Sequence, residues 1–188
     1  MKATEQLKAE HEGIGIMLRV VDAMCDRLEV DRFLNDEQFG QIVEFFKVFV
    51  DRCHHGKEED LLFPAMEKAG HPGAGGLIEQ MLFEHRQGRE YVGAMYDALT
   101  RYRAGAEKAD AELYTQARGY TALMRQHIDK ENTQVFPLAD AVLSVERQEA
   151  MFVEFEELEE KKIGKGVHEQ FHQLLDNLAR AYPGDRQV

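Results

Sequence analysis

The sequence contains little of several features that define common classes of small protein. Its 188 residues include no tryptophan, four prolines and two cysteines, Cys25 and Cys53. Two cysteines outside any CxxC pair exclude a disulfide framework and a zinc ribbon. No stretch approaches the roughly 20 apolar residues that a membrane-spanning helix needs, and the charged N-terminus lacks the apolar segment of a signal peptide. We therefore expect a cytoplasmic protein with reduced thiols that does not interact with membranes.

Basic residues are scarce relative to acidic ones. Lys and Arg total 23 against 35 Asp and Glu, which gives a formal net charge of −12. An acidic surface repels the phosphates of nucleic acids, and no cluster of Lys or Arg reverses this locally. We therefore predict that nucleic acid is not a partner. Hydrophobic residues make up 44% of the chain, which is compatible with one compact core at this length.

Apolar residues recur at helical spacing through most of the chain. Four stretches have steps of three and four residues, which place one stripe of each helix inward. The stripes run from Leu7 to Leu28, from Phe39 to Ala65, from Ile78 to Tyr102 and from Leu113 to Val142. The second stripe includes Leu61 and Ala65 near its end, and the fourth includes Leu138 and Val142. The pattern predicts an all-α protein built as an up-down four-helix bundle.

Capping residues mark the ends of these helices and indicate two more. Asn35 is a candidate N-cap of the second helix, which Gly70 and Pro72 end. Ser144 is a candidate N-cap of an acidic fifth helix, and a sixth covers about residues 165–182. We therefore predict four long helices followed by two shorter C-terminal ones.

Polar residues interrupt the apolar stripes at six inward positions. They are His11, His54, Glu58, His85, His127 and Glu131. A buried imidazole or carboxylate costs several kcal/mol unless it is paired or bound to a metal. A histidine followed four residues later by a glutamate occurs twice, so each pair shares one helix face. The six residues are therefore candidate metal ligands, since core histidines satisfied by backbone or water would explain only one or two of them.

The two His/Glu pairs belong to a duplicated motif. HHGKEEDLLFP begins at His54 and HIDKENTQVFP begins at His127, and both follow the pattern HxxKExxxxFP. An EH dipeptide that ends at His11 or His85 precedes each motif by 43 or 42 residues. Two such hairpins predict a symmetric dinuclear site, with open positions for a bridging oxo or hydroxo group and an external ligand. These donors suit iron or manganese and also zinc, and two carboxylates that span a pair of ions favour iron.

The motifs resemble the signature of the hemerythrin-like HHE cation-binding proteins, over roughly residues 1–143. The resemblance implies a four-helix bundle that holds two Fe ions in a non-heme di-iron centre. It implies terminal imidazole ligands at His11, His54, His85 and His127 and bridging carboxylates at Glu58 and Glu131. Residues 144–188 are then expected to form a helical extension packed on the same domain.

The sequence departs from the oxygen-carrying hemerythrins at two points. Arg89 stands where they have a fifth histidine, and Glu131 comes four residues after His127 where they have an aspartate at five. The match is closer to the four-His, two-Glu branch, which includes bacterial iron-cluster repair proteins. The resemblance implies a protein that binds or reacts with O2, NO or peroxide in oxygen sensing or a stress response. Iron handling or iron–sulfur cluster repair is the alternative; enzymatic activity and a protein partner stay open.

Five further histidines and glutamates could in principle contribute to a metal site, but we do not predict them to be ligands. His55 points about 100° around the helix from its neighbour, which predicts a surface position or one behind a ligand. Glu10 and Glu84 each precede a candidate ligand, either as support for a nearby imidazole or as solvated charges. His168 and His172 are predicted to cover the mouth of the bundle rather than to bind a second metal.

Overall fold

The computed structural model describes residues 1–183 of the chain. Six helices cover most of these residues, which confirms the all-α bundle with two further C-terminal helices. The helices are α1 (Ala3–Asp31), α2 (36–69), α3 (Ala74–Arg103), α4 (109–142), α5 (Val145–Lys162) and α6 (Val167–Ala181).

The helix ends follow the predicted capping residues. The Asn35 side chain accepts a hydrogen bond from the backbone N–H of Gln38 at 3.0 Å. The Ser144 hydroxyl accepts one from the backbone N–H of Arg147 at 3.2 Å. Gly70 follows α2 with a φ of 76°, in the left-handed region where glycine pays no steric cost. Local sequence therefore accounts for both ends of α2 and for the start of α5.

α2 and α4 contain π-helical turns beside the predicted site. These turns cover Phe46–His55 and Glu58–Leu62 in α2 and Glu131–Val135 in α4. The backbone N–H of the motif phenylalanine, Phe63 or Phe136, donates to the carbonyl five residues back. Proline follows each phenylalanine and has no N–H to donate, so it tolerates an interruption of the regular hydrogen-bond ladder. The FP dipeptide of the duplicated motif therefore coincides with the end of a wider turn.

Beyond the last π-helical turn of α2 and that of α4, the buried positions come one residue later in the sequence than a regular α-helix would place them. The predicted stripe beyond Glu58 is wrong by one position, because Leu61 and Ala65 are half-buried while Leu62 and Met66 are buried. α4 shows the same displacement near its end, from positions 138 and 142 to 139 and 143. A hydrogen bond that spans five residues encloses one more residue than an α-helical turn does.

Two apolar clusters fill the bundle, one on each side of the polar residues. On α1, Leu7 belongs to one cluster and Ile14 belongs to the other, and His11 lies between them. The other three long helices also contribute apolar side chains to both clusters. In each long helix the candidate ligands therefore lie between two apolar clusters.

The two C-terminal helices pack against the bundle. α6 contributes Leu175 and Leu178 to the cluster that contains Ile14, and α5 contributes Met151 and Phe155 to the cluster that contains Leu7. The last residues of the predicted extension, 184–188, lie outside the described residues. Among the helices of residues 1–183, none combines the length and the apolar character needed to cross a membrane.

Candidate metal centre

The four long helices bring the six predicted ligand side chains into one cavity between the apolar clusters. Each of the six residues is at most 4% exposed. Their imidazoles face each other in two pairs. The Nε2 atoms of His11 and His54 are 3.0 Å apart, and those of His85 and His127 are 3.2 Å apart.

Each carboxylate of the set reaches both imidazole pairs. Glu131 Oε2 lies 3.1 Å from His11 Nε2, and its Oε1 lies 3.1 Å from His127 Nε2. Glu58 lies in the same way between the other two histidines, with oxygen–nitrogen distances of 3.8 and 3.5 Å. The arrangement offers each of two positions a pair of nitrogens together with oxygens from both carboxylates.

Each of the four imidazoles has a hydrogen-bond acceptor, a carboxylate or amide oxygen, next to its Nδ1 atom. The pairs are His54 with Glu10 at 2.8 Å, His127 with Glu84 at 3.0 Å, His85 with Glu59 at 2.7 Å and His11 with Asn132 at 3.0 Å. A neutral imidazole that donates from Nδ1 carries a lone pair on Nε2. Two such lone pairs at 3.0 Å repel each other unless a proton or a cation lies between the ligands. Two nitrogens bound at right angles to one ion, each at about 2.1 Å, would be about 3.0 Å apart.

The carboxylate oxygens also fit a metal centre. Within residues 1–183, the four oxygens of Glu58 and Glu131 are buried and have no hydrogen-bond partner. Buried polar atoms without partners are rare and costly. The donor atoms form two groups of four, each within 4.8 Å, and Glu58 is common to both. The groups are His11, His54, Glu58 and Glu131, and His55, Glu58, His85 and His127. Bound cations would satisfy these oxygens.

Burial and mutual contacts shift the pKa values of the cavity residues in different directions. Burial, together with the neighbouring Glu131 carboxylate, raises the pKa of Glu58 well above its ordinary value. The pKa of His127 rises to about 9, because the nearby Glu131 and Glu84 carboxylates outweigh the effect of burial. Burial and the nearby imidazole of His11 lower the pKa of His54 to about 4. Cation binding must displace the bound protons, as it does wherever ligands have to be deprotonated.

The lysine of each motif holds the glutamate of the preceding EH dipeptide. Lys57 Nζ donates to Glu10 at 2.6 Å and to Glu159 of α5 at 2.9 Å. Lys130 donates in the same way to Glu84. Glu10 and Glu84 therefore support imidazoles and are not solvated charges. No role was predicted for these lysines, although their recurrence in both motifs is a signal for one.

The surface position considered for His55 is wrong. His55 is 3% exposed, and its ring stacks on that of His85 with centroids 3.8 Å apart and planes at 12°. Its burial and the neighbouring imidazoles lower its pKa well below the ordinary value. The π-helical turns that end at His55 change the angle between adjacent side chains from its α-helical value. His55 instead occupies the other predicted position, behind a candidate ligand, and adds a fifth imidazole beside the site.

Arg89 lies outside the cavity but contacts the groups around it. Its side chain is 40% exposed and donates to Asp51 at 2.6 Å and to Glu59 at 2.8 Å. Glu59 in turn accepts from His85. Arg89 therefore stabilises the carboxylate that orients this imidazole.

A cleft of about 780 Å³ lies between α2 and α3 and reaches the site at His55. Phe46, Val92 and Tyr120 form part of its apolar lining, and Gly88 lies beside them. A Cβ atom added at Gly88 would meet Tyr120 only at 3.8 Å, an ordinary contact. Helix packing therefore does not require a glycine at this position. Because Gly88 has no side chain, the cleft is wider there.

α6 connects to the site through a series of hydrogen bonds. His168 Nδ1 lies 2.7 Å from Glu159, which accepts from Lys57. Lys57 contacts Glu10, which holds His54. His168 and its neighbour on α6, His172, are in neither group of metal donors found among residues 1–183.

Sequence comparisons relate the chain to known proteins. The family model of the hemerythrin HHE cation binding domain matches residues 2–139. The uncharacterized protein Rv1995 of Mycobacterium tuberculosis is 24% identical to the chain over 177 residues, which cover 94% of the chain and 68% of that protein. The uncharacterized protein Mb2018 of Mycobacterium bovis has the same identity and coverage. No solved structure gives a significant match.

Proposed function

We propose that this chain, a member of the hemerythrin HHE cation-binding domain family, is a non-heme di-iron protein that binds or reacts with O2, NO or peroxide. In this proposal His11 and His54 hold one ion, and His85 and His127 hold the other. Glu58 and Glu131 span the two positions. A protein of this kind would act in oxygen sensing or in the response to oxidative or nitrosative stress.

One observation carries the proposal. Two pairs of imidazoles face each other, and two buried carboxylates, whose oxygens have no hydrogen-bond partner, lie between the pairs. When bound, two ferrous ions would supply two electrons to a small oxidant. The protein holds the imidazoles at Nδ1 through fixed acceptors, and Lys57 and Lys130 hold two of those acceptors. The apolar clusters on both sides exclude bulk water, which strengthens electrostatic interactions at the centre.

The cleft between α2 and α3 supports a small ligand. Its largely apolar lining suits diatomic gases and other small molecules, and it ends at His55 beside the donor groups. A larger substrate would meet the buried His55 ring before any of the six proposed ligands. Access through the cleft therefore favours O2, NO or peroxide as reactants.

Burial also favours a retained cofactor over transferable iron. The six proposed ligands are at most 4% exposed, so an acceptor protein could not contact the ions without opening the bundle. The alternative, iron handling or iron–sulfur cluster repair, requires iron that leaves readily. A competing chelator distinguishes the two, because we expect release to be slow compared with reaction of the protein with air.

The test is the metal content and optical spectrum of protein purified without oxygen, recorded before and after exposure to air. We expect two irons per chain and a charge-transfer absorption that appears on exposure. Glu58→Ala should lower the metal content, whereas His172→Ala, an exposed position on α6, should not. One zinc per chain with no visible absorption would contradict the proposal.

A further inference from the structure

The cleft between α2 and α3 is much larger than a diatomic gas requires. Its volume is about 780 Å³, within the range of roughly 300–1,000 Å³ that sites for small organic molecules occupy. Phe46, Val92, Leu99 and Tyr120 are buried residues of its lining. Aromatic and aliphatic walls around a space of this size suit an organic ligand, whereas the passage of a gas needs only a narrow channel.

Two glycines in the interior of α3, Gly88 and Gly93, line this cleft. A glycine inside a helix costs about 1 kcal/mol relative to alanine. A Cβ atom added at Gly93 would meet no atom of a neighbouring helix of residues 1–183 within 4 Å, and one added at Gly88 would make only ordinary contacts. Packing between helices therefore requires neither glycine, and both leave room in the cleft.

His55 is a buried polar side chain in the lining of the cleft. It is 3% exposed, and neither of its ring nitrogens has a hydrogen-bond partner among residues 1–183. The Asp51 carboxylate lies 3.6 Å from Nδ1, beyond hydrogen-bond distance, and accepts from Arg89 instead. A buried polar group without a partner is costly, and the second motif has Ile128 at the equivalent position. The imidazole therefore indicates a ligand with a group that can form a hydrogen bond.

The charges around the cleft favour an uncharged ligand. Arg89 and Arg103 in its lining are paired with carboxylates. The other charged residues of the lining are three carboxylates and one ammonium group, Glu37, Glu44, Asp97 and Lys47. Their excess of negative charge repels an anion, and a cation would lose its hydration against the apolar walls.

We propose that the cleft binds an uncharged aromatic molecule of the phenol class, with its ring against the apolar walls and its hydroxyl group hydrogen-bonded to His55. A neutral imidazole offers one donor and one acceptor, and a hydroxyl group can pair with either. The inference goes beyond the proposed function and requires no metal. Because the cleft reaches the donor groups at His55, a bound ligand would close this route from the solvent to the centre.

The test is equilibrium dialysis of the full chain, as purified, against three probes. They are 2-naphthol, 2-methylnaphthalene, which has a methyl group in place of the hydroxyl, and 2-naphthoate, which carries a negative charge. We expect one 2-naphthol per chain and at least tenfold weaker binding of 2-naphthoate. Gly93→Leu places a side chain in the cleft and should weaken the binding of both uncharged probes at least tenfold. Gly76→Leu is the matched control, because it lies on the same helix, exposed and outside the cleft, with equally open space around its Cβ.

His55→Phe tests the hydrogen bond, because it keeps an aromatic ring and removes both nitrogens. We expect it to weaken the binding of 2-naphthol about three- to tenfold, the value of one hydrogen bond. Binding of 2-methylnaphthalene should stay within twofold of wild type, which would show that the cleft is intact.

Two results would overturn the inference. Wild-type affinity for 2-naphthol in Gly93→Leu would exclude the cleft as the site, and equal effects on the two uncharged probes in His55→Phe would exclude the hydrogen bond. The metal content of the same samples separates this inference from the proposed function. Wild-type protein that holds two irons and binds no 2-naphthol would contradict the cleft site alone.

Discussion

Replacement of Lys57 by methionine removes a buried charge while keeping most of the side-chain volume. The lysine is fully buried, and its Nζ atom lies 2.6 Å from Glu10 and 2.9 Å from Glu159. Removal of one partner from a buried ion pair costs about 3–5 kcal/mol, because the remaining charge is left without compensation. We expect Lys57→Met to lower the free energy of unfolding of the metal-free protein by about this amount at neutral pH.

Lys130 provides a matched comparison within the same chain. It occupies the equivalent position of the second motif and contacts Glu84, but its side chain is 25% exposed. Solvent partly screens this pair, and Gln80 and His127 also contact Glu84, so Lys130→Met should cost less than Lys57→Met, on the order of 1–2 kcal/mol. Urea unfolding followed by circular dichroism measures both values. Equal losses in the two variants would refute the argument from burial.

The penalty of Lys57→Met should also depend on pH. The pKa of Glu159 is lowered to about 2, because hydrogen bonds from His168 and Lys57 outweigh the effect of burial, and the pKa of Glu10 is also lowered. Carboxylates of this kind stabilise the fold fully above their ordinary value of 4.5, and the contribution is lost as the pH falls through the folded-state pKa. Part of this contribution needs Lys57, so the difference between variant and wild type should shrink in acid. A difference that stays constant from neutral pH to about pH 3 would contradict this account.

Three further predictions concern the centre and the C-terminal helix. Glu58→Ala removes a carboxylate shared by both positions, and we expect elemental analysis to find at most about half the wild-type metal content. The hydrogen bond with Glu159 raises the pKa of His168. The histidine therefore stabilises the fold fully below pH 6.5, and this stabilisation is lost as the pH rises through the folded-state pKa. His168→Gln should remove this pH dependence of the melting temperature, as measured in thermal unfolding scans. Removal of the metal by a chelator should destabilise the protein by about 2.7 kcal/mol for each ion lost, relative to protein with free metal at 100 times the Kd of that site, as measured by urea unfolding.

The bundle and the positions of the six polar residues could be predicted because the signals are local. An imidazole or carboxylate in an otherwise apolar stripe is visible from helical periodicity alone. The duplication adds a long-range constraint, since two hairpins with the same motif are expected to meet around one cavity. His54 and His127, for example, occupy equivalent places in the two motifs and belong to opposite imidazole pairs.

The register beyond the site could not be predicted, because it depends on backbone hydrogen bonds rather than side-chain pattern. An ideal α-helix places Leu61 inward and turns His55 away from the cavity, whereas the π-helical turns of α2 bury Leu62 and His55. The acceptors at Nδ1 also depend on packing between hairpins. Glu59 on α2 and Asn132 on α4 reach His85 and His11 of the other hairpin.

The duplicated motif does not give the two halves of the centre equal surroundings. The residue after the shared carboxylate is Glu59 in one motif and Asn132 in the other, so His85 faces a charged acceptor and His11 a neutral amide. A charged acceptor makes an imidazole a stronger donor to a metal. The residue after the first histidine is His55 in one motif and Ile128 in the other. The charged acceptor lies in the half that contains His85, and the buried ring of His55 stacks on His85 in the same half. We therefore expect the two proposed positions to differ in their affinity for a cation.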